Sequence, residues 1–250
     1  MASHLGNTFS RRRRIAIIVT LGMLTGLGPF TIDLYLPAFP ALKSDLGISD
    51  TQVQLTLSAT TLGFATGQLL VGPLSDRLGR RLPLIACSIL HVVSSILVAL
   101  SPTIEFLTAM RLLQGVGAAG GAVVAMAMAR DLFSGRPLVV MLSRLALISG
   151  LAPIVAPIVG SWMVGFMDWR GVFWGLAAYG SIVIVLIVVM TVETRPPSER
   201  TRGGLKPVGR AFRAVFTDRM SLGAILIAAF AFGALFSYVA SSSVLLQEVY

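Results

Sequence analysis

Charged residues are scarce in this chain of 250 residues. They make up 12 % of it, against roughly a quarter in soluble domains. Hydrophobic residues make up 55 %. This balance predicts a protein dissolved in lipid rather than one that buries a core away from water.

Cysteine and histidine are also nearly absent. Cys87 is the only cysteine, and His4 and His91 are the only histidines. An intrachain disulfide is therefore excluded, and too few ligands remain for most transition-metal sites. The sequence has no phosphate-binding glycine loop and no plausible Ser/His/Asp set, so neither ATP coupling nor an enzyme is predicted. No cofactor and no metal are expected.

Long apolar runs are what the sequence has instead. A membrane-spanning helix needs about 20 mostly apolar residues, and seven segments qualify: 15–37, 51–72, 82–101, 104–129, 138–164, 171–192 and 220–246. The first run is too long for a secretory signal and is interpreted as a span. The expected fold class is all-α, a polytopic membrane protein that has the lipid bilayer as its solvent.

The spans group as six, a long connection, and one. The predicted organisation is a basic N-terminus (1–14), a six-helix transporter half (15–192), a soluble linker rich in Arg, Pro and Gly (193–219) and a seventh helix (220–250). Many transporters pair two six-helix halves. The second half is therefore expected to be incomplete, and the 250-residue chain alone is expected to be inactive.

The basic residues predict an orientation. Of the 20 Lys and Arg residues, all but Lys43, Arg111 and Arg170 lie in the N-terminal segment, in alternate connections or at the adjoining span ends. This asymmetry places the N-terminus and those connections in the cytoplasm. The net charge of +9 is thus a topology signal, and no nucleic-acid partner is expected.

A charged hairpin separates the second and third runs. It reads Gly72-Pro73-Leu74-Ser75-Asp76-Arg77-Leu78-Gly79-Arg80-Arg81. Its charge alone fits a simple cytoplasmic turn, but the spacing G-x-x-x-D-R-x-G-R-R resembles the loop 2–3 signature of the major facilitator superfamily. Leu107-x-x-x-Arg111-x-x-Gln114-Gly115 is similar to the superfamily's fourth-helix motif. The stretch 150–160 resembles the fifth-helix motif of its drug/proton antiporters, although Ala156 and Ser161 replace usual glycines.

The stretch 27–40, with Val53-Gln54-Leu55-Thr56-Leu57-Ser58, resembles the Bcr/CflA group of bacterial drug exporters. The resemblance implies a major facilitator fold of twelve spans in a bacterial cytoplasmic membrane, and a monomer is expected. It implies efflux of drugs such as chloramphenicol, florfenicol and bicyclomycin, driven by the proton gradient. It also implies a gating motif of Gly72, Asp76, Arg77, Gly79, Arg80 and Asp131, and an antiporter motif of Gly150, Pro153, Pro157 and Gly160.

Two charges fall inside predicted spans. Asp33 lies roughly 27 Å into the first span, and Arg111 lies roughly 10 Å into the fourth from its outer end, at about 1.5 Å per residue. Charges within a membrane are candidates for function. Solvation and a nearby arginine both change the proton affinity of a carboxylate. Asp33 and Arg111 are therefore the predicted proton-coupling pair; the alternatives are a helix-end acid and a structural tie to carbonyl groups.

Aromatic, thioether and amide side chains suit an amphipathic drug. The predicted substrate-binding residues are Tyr35, Gln114, Met126, Phe232, Phe236 and Tyr238. Two other functions stay open: a facilitator that imports a small metabolite, and a seven-helix receptor or sensor. The receptor is disfavoured by the arginine distribution, and a retinal protein by the absence of lysine in 220–246.

Overall fold

A computed structural model describes residues 9–200 and 206–244. Every regular element in these ranges is helical. The α-helices are α1 (Arg11–Asp33), α2 (Phe39–Leu46), α3 (Asp50–Leu78), α4 (Arg81–Ala99), α5 (Ile104–Leu132), α6 (Gly135–Val164), α7 (Trp169–Met190), α8 (Lys206–Thr217) and α9 (Arg219–Val244), with 3₁₀ turns at Leu36–Ala38 and Pro197–Glu199. The chain divides into two compact units, Met1–Arg200 and Thr201–Tyr250.

Local sequence sets the helix ends of the first unit. The Ser49 hydroxyl accepts a hydrogen bond from the Gln52 amide, and the Gln52 side chain accepts one from the Ser49 amide. This reciprocal capping box starts α3. Asp168 caps α7 in one direction only, because its Oδ1 accepts a hydrogen bond from the amide of Gly171. Gly47, with φ of 61°, ends α2 because its left-handed conformation suits glycine.

Within the first unit, α5 packs against α3, α4 and α1, while α4 also packs on α7 and α1 on α6. Glycines on both helices allow the close contact between α3 and α5. A Cβ on Gly63 would collide with the carbonyl of Leu112, and one on Gly115 with the carbonyl of Thr60. Gly115 belongs to the fourth-helix motif. Small residues let two membrane helices approach backbone to backbone, which makes dispersion contacts dense where no hydrophobic effect helps.

Five helical stretches of the described residues are long and apolar enough to cross a membrane: α1 with its extension to Leu46, α4, α5, α6 and α7. The sequence predicts seven. Helix α3 is as long as α5, but its threonines and glutamines lower its mean hydropathy. In α9 the apolar stretch Arg219–Leu235 is shorter than the stretches that are long enough to cross a membrane. The prediction of an all-α, polytopic membrane fold is confirmed.

The structure differs from the sequence prediction at one helix end and inside the predicted linker. Helix α3 continues to Leu78 instead of ending at 72, so Asp76 and Arg77 lie in its last turn, and only Gly79 and Arg80 connect it to α4. The predicted linker 193–219 contains a helix, α8. Its sequence places apolar Val208, Phe212 and Val215 three or four residues apart, the spacing of an amphipathic helix. The domain limits at 14, 192 and 219 stay predictions.

Candidate functional site

A cluster of charges joins the helix ends around the Gly79–Arg80 turn. The Arg80 side chain is 6 % exposed. Its Nη1 donates to Asp76 Oδ1 at 2.7 Å and to the Ser75 hydroxyl at 2.8 Å, and its Nε donates to Asp131 Oδ2 at 2.8 Å. One guanidinium thus ties the last turn of α3 to the last turn of α5. We call this end of the first unit the arginine end.

The protonation of Arg80 is fixed by this setting. Burial of the guanidinium lowers its pKa most, but the hydrogen bonds and negative charges of Asp131 and Asp76 together outweigh burial and leave the pKa above its ordinary value. Arg80 therefore stays a cation in this cluster.

The segment after α7 completes the cluster. Glu193 Oε1 accepts hydrogen bonds from the amides of Arg80 at 2.8 Å and Arg195 at 2.9 Å, while Oε2 accepts from the amide of Arg81 at 3.2 Å. A carboxylate over the first amides of α4 satisfies donors that no helical carbonyl reaches, and it complements the positive end of the helix dipole. Glu193 thus caps α4 from a distant part of the chain.

Two further side chains of this segment reach the same carboxylates. Arg195 Nη1 donates to Asp76 Oδ1 at 2.8 Å, and the Thr194 hydroxyl donates to Asp131 Oδ2 at 2.9 Å. The cluster therefore binds three helix ends, those of α3, α5 and α7, and the start of α4. Sequence reasoning missed the stretch 193–195, which lay in the predicted linker; its signal is three polar residues in a row after an apolar span.

Gly79 is required at its position. Its φ is 94°, a conformation that residues with a side chain rarely adopt, and a Cβ there would lie 2.5 Å from Glu193 Oε2.

Two other residues of the predicted gating motif, Gly72 and Arg77, lie outside this network of contacts. A Cβ on Gly72 would meet only Val123, at an ordinary 3.5 Å, so close helix approach does not depend on it. Arg77 is exposed and forms no ion pair with the described residues; its part in the gating motif stays a prediction.

A second polar site lies inside the helices around Arg111. This side chain is fully buried. Its Nη1 donates to the carbonyl of Thr31 in α1 at 2.9 Å and to Gln114 Oε1 at 2.7 Å. The guanidinium lies over the rings of Tyr35, at 4.6 Å, and Phe173, at 5.4 Å. The aromatic faces supply a favourable cation–π environment.

The hydrogen-bonding capacity of Arg111 is only partly used. Its Nε and Nη2 are buried and have no hydrogen-bond partner among the described residues, and no carboxylate within them pairs with the guanidinium. A buried guanidinium without an anion carries a large desolvation cost. Two donors of Arg111 are therefore available to an acceptor that this conformation does not provide.

Hydrogen bonds connect Arg111 to a buried histidine. Gln114 Nε2 donates to the Ser95 hydroxyl at 2.7 Å, which donates to the carbonyl of His91 at 2.7 Å. His91 Nε2 lies 2.9 Å from the Thr31 hydroxyl. His91 Nδ1 is buried without a hydrogen-bond partner in the described part of the chain. Sequence reasoning gave His91 no role, because a lone histidine in a span forms no motif.

Asp33 is the last residue of α1, and its side chain is buried. It forms no ion pair or hydrogen bond with the residues that the structure describes. Arg111 contacts α1 two residues earlier, at the Thr31 carbonyl. The two predicted proton-coupling residues are thus brought to the same end of α1 but are not paired in this conformation. Arg111 here makes the tie to a backbone carbonyl that was its alternative interpretation.

The predicted substrate-binding residues have mixed positions. Tyr35 is fully buried, with its hydroxyl 3.1 Å from the Thr56 hydroxyl, and both ends of the Gln114 amide are occupied. These two side chains belong to the packed interior and line no open surface here. Met126 is 39 % exposed. Phe232 and Tyr238 are exposed residues of α9, the Phe236 side chain lies outside the described residues, and their roles stay predictions.

The antiporter motif lies in α6. Ala152, Ala156 and Gly160 form its buried line, and a Cβ on Gly160 would collide with the carbonyl of Leu34, the residue after Asp33. Gly150, by contrast, faces open space. Pro153 and Pro157 are accommodated inside an uninterrupted helix. The end of this motif therefore packs against the backbone that directly follows Asp33.

Comparison with known sequences identifies the architecture. Residues 21–250 match the Major Facilitator Superfamily. The chain belongs to this superfamily. Its members are transporters rather than enzymes.

Several curated superfamily proteins are similar along most of this chain. An uncharacterized MFS-type transporter, YdgK of Bacillus subtilis (strain 168), is 39 % identical over 96 % of the chain and 60 % of its own length. A bicyclomycin resistance protein homolog of Haemophilus influenzae is 34 % identical over 93 % and 58 %. The multidrug resistance protein MdtL of Escherichia fergusonii is 32 % identical over 89 % and 56 %. The predicted resemblance to Bcr/CflA-type members is confirmed. The chain spans somewhat more than half the length of these relatives.

Solved superfamily structures share the fold. A bacterial homolog of the human lysosomal transporter Spinster matches with a TM-score of 0.69 over 94 % of this chain and 56 % of its own, at 18 % identity. The proton:xylose symporter XylE matches with a TM-score of 0.68 over 87 % and 53 %, at 14 % identity. At such identities the likeness concerns the fold alone. In this facilitator chain the two charge sites therefore lie on a transporter scaffold.

Proposed function

We propose that this facilitator chain is part of a proton-coupled exporter of small amphipathic drugs, with its N-terminus in the cytoplasm of a bacterium. The observation that carries the proposal is the unpaired state of two buried ionisable side chains, Asp33 and Arg111. Two nitrogen atoms of Arg111, Nε and Nη2, have no hydrogen-bond acceptor among the described residues. Asp33 lies in the same turn of α1 as the Thr31 carbonyl that Arg111 contacts, and it has no cationic partner among the described residues. Intramembrane charges are costly and persist where function needs them.

The exchange follows from how these groups interact. A carboxylate of Asp33 would be attracted to the Nε and Nη2 donors of Arg111, whereas a protonated Asp33 would not. Pairing requires the end of α1 to move relative to α5. Proton release is thereby coupled to a conformational change, and a drug that binds better to the deprotonated conformation competes with the proton.

The charge cluster at the arginine end supplies a second component of the proposed exchange, in addition to the Asp33–Arg111 pair. Arg80 and Glu193 hold the ends of α3, α5 and α7 together through charge-assisted hydrogen bonds. We assign it the role of a gate that stabilises one conformation. Drug export itself is supported by the relatives, since a bicyclomycin resistance homolog and MdtL are named for resistance.

The test measures chloramphenicol transport in everted membrane vesicles that contain the complete transporter. We expect uptake driven by an inside-acid gradient, and its loss when the gradient is dissipated. Asp33→Asn should abolish the gradient-driven uptake. Asp168→Asn is the matched control, because it removes an exposed carboxylate while asparagine still caps α7.

Three results would contradict the proposal. Uptake that persists without the gradient would refute proton coupling, and an active Asp33→Asn variant would refute the role of that carboxyl group. Movement of the drug in the opposite direction would favour the importer. Arg111→Lys keeps the charge but loses the planar guanidinium, so we expect it to impair transport as well.

A further inference from the structure

A cavity of about 280 Å³ lies between the first turns of α1 and α6. Arg14 contributes from α1, and Arg136 and Arg144 contribute from α6. Arg136 is the second residue of α6, and Arg144 lies roughly 12 Å further along it at about 1.5 Å per residue. The cavity therefore reaches from the helix ends about two turns along α6, where Arg136, Val140 and Arg144 are exposed. We call it the arginine cavity.

The arginine cavity is positively charged and has no acidic residue in its lining. Arg136 and Arg144 form no ion pair with the residues that the structure describes. The carboxylate nearest to Arg136 in sequence, Asp131, accepts from Arg80 and Thr194 instead. Guanidinium groups that share a cavity repel one another unless an anion lies between them, and their planar donors suit phosphate oxygens.

The rest of the lining is apolar. Ile18 lies one turn below Arg14 on α1, Val140 lies one turn below Arg136 on α6, and Phe133 closes the side between α5 and α6. Arg14 and Arg136 thus place phosphate donors at the helix ends, apolar Ile18 and Val140 follow one turn further along, and Arg144 lies one turn beyond Val140. A molecule with a phosphate and an adjacent hydrocarbon chain matches both kinds of lining, and free inorganic phosphate uses only the arginines.

We propose that the arginine cavity binds an anionic phospholipid, with the phosphate held by Arg136, Arg144 and Arg14 and an acyl chain along Ile18 and Val140. Basic recesses between membrane helices are suited to such head groups. This site is distinct from the Asp33–Arg111 pair and does not depend on the proposed export function.

The test titrates phosphatidylglycerol into the purified chain in a zwitterionic detergent and counts bound lipids by native mass spectrometry. We expect one phosphatidylglycerol to bind saturably, phosphatidylcholine to bind at least tenfold more weakly, and the double variant Arg136→Gln/Arg144→Gln to lose about tenfold in affinity. The control double variant Arg11→Gln/Arg12→Gln removes the same charge from exposed positions at the start of α1 and should bind as the parent does.

Other outcomes would overturn the proposal. Equal losses in the two double variants would show attraction by overall charge alone, and equal binding of phosphatidylcholine would show an apolar site. Competition by millimolar inorganic phosphate would assign the cavity to free phosphate. Arg136→Lys/Arg144→Lys preserves the charge and should keep part of the affinity. Circular dichroism of each variant verifies its helices, and a variant with lost helicity is replaced by the lysine pair in the comparison.

Discussion

Glu193→Ala would remove the acceptor that the distant segment after α7 supplies to the start of α4. Three backbone amides lose a carboxylate partner: those of Arg80, Arg81 and Arg195. Hydrogen bonds to a charged group contribute about 1.5–3 kcal/mol each. Glu193 is only partly buried, however, and water replaces much of that contribution. Loss of a helix cap costs about 0.5–2 kcal/mol, and loss of the favourable dipole interaction about 0.3–1 kcal/mol.

These contributions give a local destabilisation of about 2 kcal/mol, which corresponds to an increase of about 30-fold in amide exchange. Hydrogen exchange followed by mass spectrometry on the peptide that covers the start of α4 measures this directly. Glu199→Ala is the matched control, because it removes an exposed carboxylate from the same segment. If both variants exchange at the same rate, the carboxylate of Glu193 does not hold the start of α4, and the reasoning is refuted.

Two glycine substitutions and a third that serves as their control test the backbone geometry. Gly79→Ala should lower stability by about 1–2 kcal/mol, because φ is 94° and the new methyl group would meet Glu193; thermal unfolding in detergent measures the loss, and an unchanged midpoint would contradict it. Gly115→Ala should be more damaging, by about 2–3 kcal/mol, since its Cβ would collide with the Thr60 carbonyl and force α3 away from α5. Gly150→Ala, which faces open space, should leave the midpoint unchanged or raise it slightly, and a loss equal to that of Gly115→Ala would show that helix contact is not the cause.

Much of the fold was predictable because apolar runs of about 20 residues leave few structures other than membrane helices. The errors occur where a helix is not uniformly apolar. The α3 prediction ended at 72, where the apolar run reaches Gly72 and Pro73, but the helix continues to Leu78, and Asp76 in its last turn accepts a hydrogen bond from Arg80. The extension α2 and the helix α8 were missed because short amphipathic segments give a weak signal beside long apolar ones.

The candidate site was predictable in its residue types but not in its pairings. Motif spacing identified Asp76 and Arg80, the family resemblance implied Asp131, and these three side chains lie together in the structure. The contributions of Glu193 and Arg195 were not predictable, because contacts over more than a hundred residues depend on where α7 ends. Spacing also does not show that both ends of the Gln114 amide form hydrogen bonds within the protein. Those bonds go to Arg111 of α5 and Ser95 of α4, which come together only when the helices pack.

The two charge sites are related through one close helix contact. A Cβ on Gly121 of α5 would lie 2.5 Å from the carbonyl of Leu24 in α1. Asp33 lies roughly 14 Å along α1 from that contact, and Arg111 lies roughly 15 Å along α5, at about 1.5 Å per residue. A tilt of about 10° there would move either residue by roughly 2.5 Å, enough to make or break a hydrogen bond. Asp131, near the far end of α5, is held by Arg80. The cluster that restrains α5 at the arginine end is therefore positioned to control the distance on which the proposed proton exchange depends.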